Sequence, residues 1–354
     1  MTTGRVRGAH RDDGGVGRLL GRAGRGLDAA RIRRRSGDTL ATLARMADSE
    51  LSALVGEAEV VPLSGGYSGE TYLVTGAGEQ AVLRLYARQP HRAAIDLALL
   101  ERLRGLLPVP RVLEAMTVPA GAGRPPFLLL EALPGDRLDV VLPAADEPLR
   151  RRLAEAVTGV LVLLATERMA RAGYFADASL EPVPFPPGSG DQAGFLEAHL
   201  DAPWFAGLAD EERAGLRAVA RRAAAAVPRN GRIALVHADF NPKNLLVDPA
   251  TGGVTGVLDW EYAYAGAPLA DVGNLLRFAE DEVFDGAVAA AYADRAPDVP
   301  DNWVEAARAL DLYSLIDLAS REAPANPVVA GARRLLLATA HTRTLAAHRP
   351  DPAA

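Results

Sequence analysis

The chain of 354 residues contains no cysteine, so a disulfide framework, a thiolate nucleophile and a Cys-ligated zinc are all excluded. Aromatic residues are sparse, at 5%, and no apolar run comes near the roughly 20 residues that a membrane-spanning helix needs. No membrane partner is therefore expected. Lysine is almost missing: Lys243 stands alone among 39 basic residues, the others being arginine. An arginine at a functional position can therefore be a substitute for lysine. No repeat of 20–50 residues is visible, which excludes a solenoid or propeller. What remains is 49% apolar and 24% charged, ordinary for a soluble globular chain of about two lobes. A cytoplasmic location agrees with this composition.

The net charge of −6 hides two unlike parts. Residues 1–46 carry a balance of +7, with eleven Arg, four Asp, nine Gly and no aromatic residue. This stretch cannot bury enough apolar surface to offset ordering, and reads as a disordered basic arm upstream of a true start at Met46. It lacks the apolar h-region of a secretory signal. It also lacks the aromatics that interleave with cations in nucleic-acid-binding segments, so no nucleic-acid partner is expected. Beyond the arm the balance is −13.

From residue 47 to 134 the pattern predicts a small antiparallel sheet with one helix. Glu59–Ser64, Thr71–Thr75 and Gln80–Tyr86 are short β-rich runs, followed by a helix with Ile95, Leu99, Leu103 and Leu106 on one face. Pro108 and Pro110 stop that helix, and Arg111–Val118 and Phe127–Leu133 read as two more strands. From 135 to 347 helical stripes dominate, at Leu149–Leu164, Leu208–Val227, Leu269–Ala279, Asp301–Ser320 and Pro327–Ala347. Ile233–Val236, Leu245–Val247 and Val254–Leu258 are short strands enclosing polar loops. Residues 348–354 are a tail. The fold class is α+β and bilobal.

The chemistry concentrates in His237-Ala238-Asp239-Phe240-Asn241-Pro242-Lys243-Asn244 and, after an apolar strand, Leu258-Asp259-Trp260-Glu261. An Asp with an Asn five residues on and a second Asp twenty residues on is the spacing that kinase-type phosphoryl transfer uses. One carboxylate takes the acceptor hydroxyl's proton, while an amide oxygen and another carboxylate hold Mg²⁺ on the phosphates. The Ser residues lack a G-x-S-x-G elbow, so a hydrolase triad has no support.

These two segments resemble the catalytic loop and metal-binding Asp-Trp of the aminoglycoside phosphotransferase family, bacterial antibiotic kinases with a protein-kinase-like fold. The resemblance covers roughly residues 50–345. It implies Asp239 as catalytic base, His237 as a packing and hydrogen-bonding member of the loop, and Asn244 and Asp259 as metal ligands. Asp271, in Gly266-Ala267-Pro268-Leu269-Ala270-Asp271, would brace the loop. Ala238 stands where the family usually has Gly, and an ordinary backbone angle is expected there. On the nucleotide side the resemblance implies that Gly65, Gly66, Ser68 and Gly69 cover the phosphates and that Arg84 takes the place of the phosphate-contacting Lys. Asp96 would pair with Arg84, and the backbone from Glu131 to Leu133 would meet the purine. The implied cofactors are ATP and Mg²⁺, and the implied partner is a small-molecule hydroxyl acceptor.

Residues 271–322 hold twelve acidic residues against four Arg. Such a wall favours a cationic acceptor such as an aminoglycoside, although a solvated helical surface would have the same composition. Trp204, Phe205 and Trp303 are candidates to stack on a sugar. Kinases of macrolides, choline or homoserine share the resemblance, as does a nucleotide-binding pseudokinase. The interval from Asp259 to Asp271 is too short for a protein kinase's activation loop. Oligomeric state has no signature in this chain.

Overall fold

In the computed structural model the described residues are 58–63, 70–76, 78–118, 125–186, 190–228, 231–278, 280–323 and 325–345. The basic arm, the tail and the four candidate phosphate-loop residues Gly65, Gly66, Ser68 and Gly69 lie outside them. The described residues divide into two compact units, one comprising those up to Glu101 with Pro110–Ala132, the other Arg102–Val109 with those from Leu133 on.

Among the described residues the first unit is an antiparallel sheet with one helix. Its strands are β1 (Glu59–Pro62), β2 (Glu70–Gly76), β3 (Glu79–Leu85), β4 (Val112–Met116) and β5 (Phe127–Glu131), in the order β1-β2-β3-β5-β4. Helix α1 (Arg92–Leu103) falls between β3 and β4 in the chain. Alternation decides the faces: Ala81, Leu83 and Leu85 of β3 are buried and join Tyr72, Val74, Phe127 and Leu129 in one apolar cluster. Val82 and Arg84 therefore point to the opposite face, where β3 pairs Arg84 with Thr71 on one side and Leu128 on the other. Ile95, Leu99 and Leu103 of α1 are fully buried, the four-residue spacing that the sequence displays.

The second unit is mostly helical. It runs through β6 (Asp136–Arg137), α2 (Leu138–Val141), α3 (Glu147–Thr166), β7 (Gly173–Phe175), β8 (Pro182–Val183), α4 (Gln192–His199), α5 (Pro203–Ala206) and α6 (Asp210–Ala226). Then come β9 (Ala234–Val236), β10 (Leu245–Val247), β11 (Val254–Val257), β12 (Tyr264–Gly266), α7 (Leu269–Leu275), α8 (Glu282–Arg295), α9 (Trp303–Ser320) and α10 (Pro327–Thr342). Arg102–Val109 belongs here because Val257 N–H donates to the Pro108 carbonyl at 2.8 Å and Arg102 pairs with Glu167 at 3.3 Å.

Two small sheets, β11-β10-β6 and β8-β7-β12-β9, frame the polar loops of this unit. Asp146, Asp191 and Asp281 cap α3, α4 and α8 by accepting backbone N–H bonds at 2.8–2.9 Å. The helical core gathers Phe205, Leu216, Val219, Leu312, Ile316 and Leu336. Helices α7 and α9 touch backbone to backbone: a Cβ on Gly273 would lie 2.2 Å from the Ala307 carbonyl oxygen. That approach brings the helix carrying Asp271 onto a rigid support.

Candidate active site

The loop after β9 turns on Asp271. Its two carboxylate oxygens accept the N–H groups of His237 and Ala238, each at 2.8 Å. To present consecutive N–H groups to one carboxylate and then turn Asp239 back toward His237, the chain takes the left-handed region at Ala238, with φ of 69°. The ordinary angle expected from an alanine is thus corrected. A non-glycine residue there costs about 1–2 kcal/mol, and the loop holds it because Asp271 fixes the N–H groups of His237 and Ala238 while His237 Nδ1 takes that of Asp239.

His237 is fully buried. Its Nδ1 accepts from Asp239 N–H at 3.2 Å and its Nε2 donates to the Leu258 carbonyl at 2.8 Å, which places the ring hydrogen on Nε2. The Trp260 ring lies 4.5 Å from it, and the Trp260 indole donates to the Val257 carbonyl at 3.0 Å. His237 and Asp271 are both buried, and their hydrogen bonds tie the loop to Leu258 and to α7.

Asp239 is gripped by two side-chain amides. Asn241 Nδ2 donates to Oδ1 and Asn244 Nδ2 to Oδ2, each at 2.8 Å, and both also reach the Asp239 carbonyl. Each carboxylate oxygen has one donor and keeps further lone-pair capacity. Asn241 is itself locked as a turn, its Oδ1 accepting from Lys243 N–H at 3.0 Å. Leu258 N–H donates to the Asn244 carbonyl at 2.8 Å, so the residue preceding Asp259 is bonded to both His237 and Asn244. Asp259 follows with φ of 65°, which Asp tolerates better than most residues. Asp239, Asn244 and Asp259 thus belong to one hydrogen-bonded loop system.

Burial pushes the Asp271 carboxyl up to about 6, against the pull of His237 and the two backbone bonds, with the Asp239 charge adding to the rise. Behind it lies a network that sequence reasoning missed. Arg277 Nε and Nη2 bond Asp311 at 2.7–3.1 Å, Asn274 donates to the same carboxylate at 2.8 Å, and all three residues are buried. Burial pulls the Arg277 guanidinium down, yet Asp311 above all carries it above its ordinary value. Asn274 and Arg277 lie three and six residues beyond Asp271, but their partner on α9 is far along the chain and no local spacing announces it.

Five of the twelve acidic residues in 271–322 are paired with an arginine. Asp281 pairs with Arg150, Asp298 with Arg232, Glu305 with Arg222, Asp311 with Arg277 and Asp317 with Arg321, at 2.6–2.8 Å. The aromatic candidates are packing residues as well. Phe205 is fully buried, Trp204 packs edge-on against it beneath Arg333, and Trp303 lies against buried Tyr292.

In the first unit, taken by itself, the expected Arg84–Asp96 pair is replaced by another arrangement. Asp96 accepts from Tyr86 Oη at 2.9 Å and from Arg92 Nη2 at 2.8 Å, while the Arg84 guanidinium lies over the Tyr86 ring, 5.5 Å from its centroid. Asp is one carbon shorter than Glu, and the tyrosine fills the span. Glu131 ends β5 and donates its N–H to the Arg111 carbonyl at 2.9 Å; Leu133 opens the long segment of the second unit, close to Gly256.

Among the described residues no three His, Asp or Glu side chains gather into a protein-only metal cage, and no helix is long and apolar enough to cross a membrane. The donor set nonetheless suits Mg²⁺. Asn244 commits its NH₂ group to Asp239 and leaves its amide oxygen outside those bonds. An amide oxygen and a carboxylate are hard donors of the kind that hold Mg²⁺ jointly with substrate phosphates.

Comparison with known proteins gives a consistent picture. The chain's fold is similar to that of aminoglycoside 2'-phosphotransferase-IIIa in a GDP complex, with a TM-score of 0.64 and 19% identity over 86% of this chain and 99% of that one. It is also similar to a thermostable mutant of aminoglycoside phosphotransferase APH(4)-Ia in complex with AMP-PNP and hygromycin B, with a TM-score of 0.58 and 20% identity over 83% and 95% of the two chains. At such identities the likeness speaks for the fold, which is the aminoglycoside-phosphotransferase, protein-kinase-like one. Among curated proteins, acyl-CoA dehydrogenase family member 10 of Mus musculus is 27% identical over 227 residues, 61% of this chain but only 20% of that protein's length. The sequence pattern described as the phosphotransferase enzyme family matches residues 59–306, well over half the chain. With that match and the loop built around Asp239, the chain belongs to the phosphotransferase enzyme family.

Proposed function

We propose that this phosphotransferase moves the γ-phosphate of ATP, with Mg²⁺, onto a hydroxyl of a small molecule. The observation that carries the reading is the double amide grip on Asp239, which aims a carboxylate while Asn244 keeps its oxygen for a metal. In the reaction the acceptor oxygen bonds to the γ-phosphorus as the bond to the β-phosphate oxygen breaks. ADP leaves, and the hydroxyl proton passes to an Asp239 oxygen. Asn244 and Asp259 would hold Mg²⁺, which neutralises charge developing on the phosphate oxygens. Arg84 would meet the nucleotide phosphates together with backbone N–H groups of Gly65, Gly66 and Gly69 and the Ser68 side chain. Backbone groups at Glu131 and Leu133 would meet the purine. Asp271 and His237 hold the loop.

Arginine pairing of Asp281, Asp298, Glu305, Asp311 and Asp317 weakens the argument for a cationic acceptor from bulk charge. An aminoglycoside acceptor is supported instead by the structural relative that carries hygromycin B. The test is ADP or GDP release from ATP or GTP with a panel of basic antibiotics and small alcohols, run with wild type and Asp239→Ala. Acceptor-dependent release that vanishes in the variant is expected. Retained Mg-nucleotide binding with no transfer to any acceptor would favour a pseudokinase.

A further inference from the structure

We propose that Tyr86 is the positioning residue for Arg84, standing between the guanidinium and Asp96 where a direct ion pair was expected. The inference rests on the phosphotransferase reading, in which Arg84 meets the nucleotide. Arg84 lies near the end of β3 and Tyr86 just beyond it, two residues on, with the guanidinium over the tyrosine ring. Tyr86 is held at both ends. Its N–H donates to the Pro126 carbonyl at 2.9 Å, and its hydroxyl donates to Asp96 Oδ2 at 2.9 Å. The other Asp96 oxygen accepts from Arg92 at 2.8 Å. Each oxygen of this carboxylate thus has its own partner, and neither partner is Arg84.

Tyr86 and Asp96 are only 4% and 3% exposed, so water does not compete for the bond between them. A ring anchored through its hydroxyl cannot swing, and the Arg84 guanidinium rests on its face, 5.5 Å from the centroid. The carboxylate also polarises the phenol through its hydrogen bond, which enriches the ring face that meets the cation. Burial first, and the Asp96 charge second, push the Tyr86 hydroxyl well above its ordinary range, so it remains a donor. Asp96 therefore acts on Arg84 through an aromatic spacer, and the geometry suits an Asp–Tyr–Arg relay better than an ion pair.

The experiment measures binding of a fluorescent methylanthraniloyl-ATP with Mg²⁺ to the full chain, as wild type, Arg84→Gln, Tyr86→Phe, Tyr86→Leu and the double variant Arg84→Gln/Tyr86→Leu. Tyr86→Leu is expected to weaken binding about tenfold and Tyr86→Phe about threefold, the range of a desolvated cation–π contact. The double variant should bind no more weakly than Arg84→Gln alone. Turnover at saturating nucleotide should change little in Tyr86→Phe while the nucleotide KM rises, a split that a merely structural role would not produce. Wild-type affinity in both Tyr86 variants, or losses that multiply in the double variant, would overturn the relay. Should Tyr86→Leu fail to fold, Tyr86→Phe decides alone: a lower melting temperature with unchanged affinity counts against the relay. Loss in Arg84→Gln without loss at Tyr86 rejects only the relay, whereas no nucleotide binding by wild type rejects the phosphotransferase reading with it.

Discussion

Replacing Asp271 by Asn probes the centre of the loop. Asp271 is buried, accepts two backbone N–H bonds of 2.8 Å, and has its carboxyl pushed up to about 6 from 3.8. The folded protein therefore binds a proton that the unfolded chain has already released across that interval. The sign follows: this group's contribution to stability is fully present below about pH 4 and is lost as pH rises through about 6. A shift of roughly two units corresponds to about 3 kcal/mol. In Asp271→Asn the side-chain oxygen serves one N–H while the new NH₂ confronts the other, as the O–H of the protonated carboxyl does below pH 6, and the amide adds no pH dependence of its own. Urea unfolding of the nucleotide-free protein at several pH values between 4 and 8 reads the difference. Wild type should stand highest relative to the variant at pH 4 and lose about 3 kcal/mol against it by pH 7. The same Asn should lower turnover, because Asp239 hangs from the N–H groups that Asp271 orders. A wild-type advantage that stays constant or grows with pH would refute the reasoning, since burial would then not govern this carboxyl.

Asp239→Asn should reduce phosphoryl transfer by about 10²–10⁴, the usual worth of a positioned base, which single-turnover measurement of ADP formation would check, at a stability cost of about 1–3 kcal/mol because the new NH₂ confronts one of the two amide donors. Ala238→Gly should relieve the left-handed strain at φ of 69°. After subtracting the extra freedom that Gly gains in the unfolded chain, a net stabilisation of about 0.5–1 kcal/mol is expected by denaturant titration. Asp311→Ala strands the buried Arg277 charge and should cost about 3–5 kcal/mol; Arg277→Met combined with it should recover much of that loss, as thermal denaturation would reveal. Asn241→Ala removes one of the two amides on Asp239 and should lower kcat while the nucleotide KM changes little, measured by coupled ADP assay.

The loop around Asp239 was legible because its polar residues fall at short spacings. Asp239 and Asn244 must fall five apart for the amide to fold back on the carboxylate at 2.8 Å. Helices with wide stripes, such as the one through Leu153, Val157, Val160 and Leu164, were equally plain. Helix α8 escaped notice although Phe284, Val288 and Tyr292 recur every four residues, because its first turn, two acids and a glycine, resembles a loop. Strands β7 and β12, three residues each, are too short for a period to emerge. Asn241 looks like an ordinary turn residue, which it also is; its second task depends on where Asp239 points. Asp311 and Arg277 lie 34 residues apart, and their meeting is set by the Gly273 approach between two helices.

The Arg84–Asp96 expectation failed for a reason inherent in strand periodicity. Alternation correctly predicts that Arg84 leaves the face of Leu83 and Leu85, but it assigns Tyr86 to the Arg84 face by the same logic. A helix carboxylate approaching that face meets both side chains. The phenol offers a neutral donor that reaches farther from the backbone than Asp96 can, so it closes the gap with no need to desolvate an additional ion pair. Two residues that share a face compete for one partner, and side-chain length together with the cost of burying charge decides between them. A Glu in place of Asp96 would add a carbon and tilt that competition. In Asp96→Glu the carboxylate should bypass the phenol and reach Arg84, and a shortened tyrosine hydroxyl lifetime or a new Arg–Glu contact in a crystal structure would register the exchange.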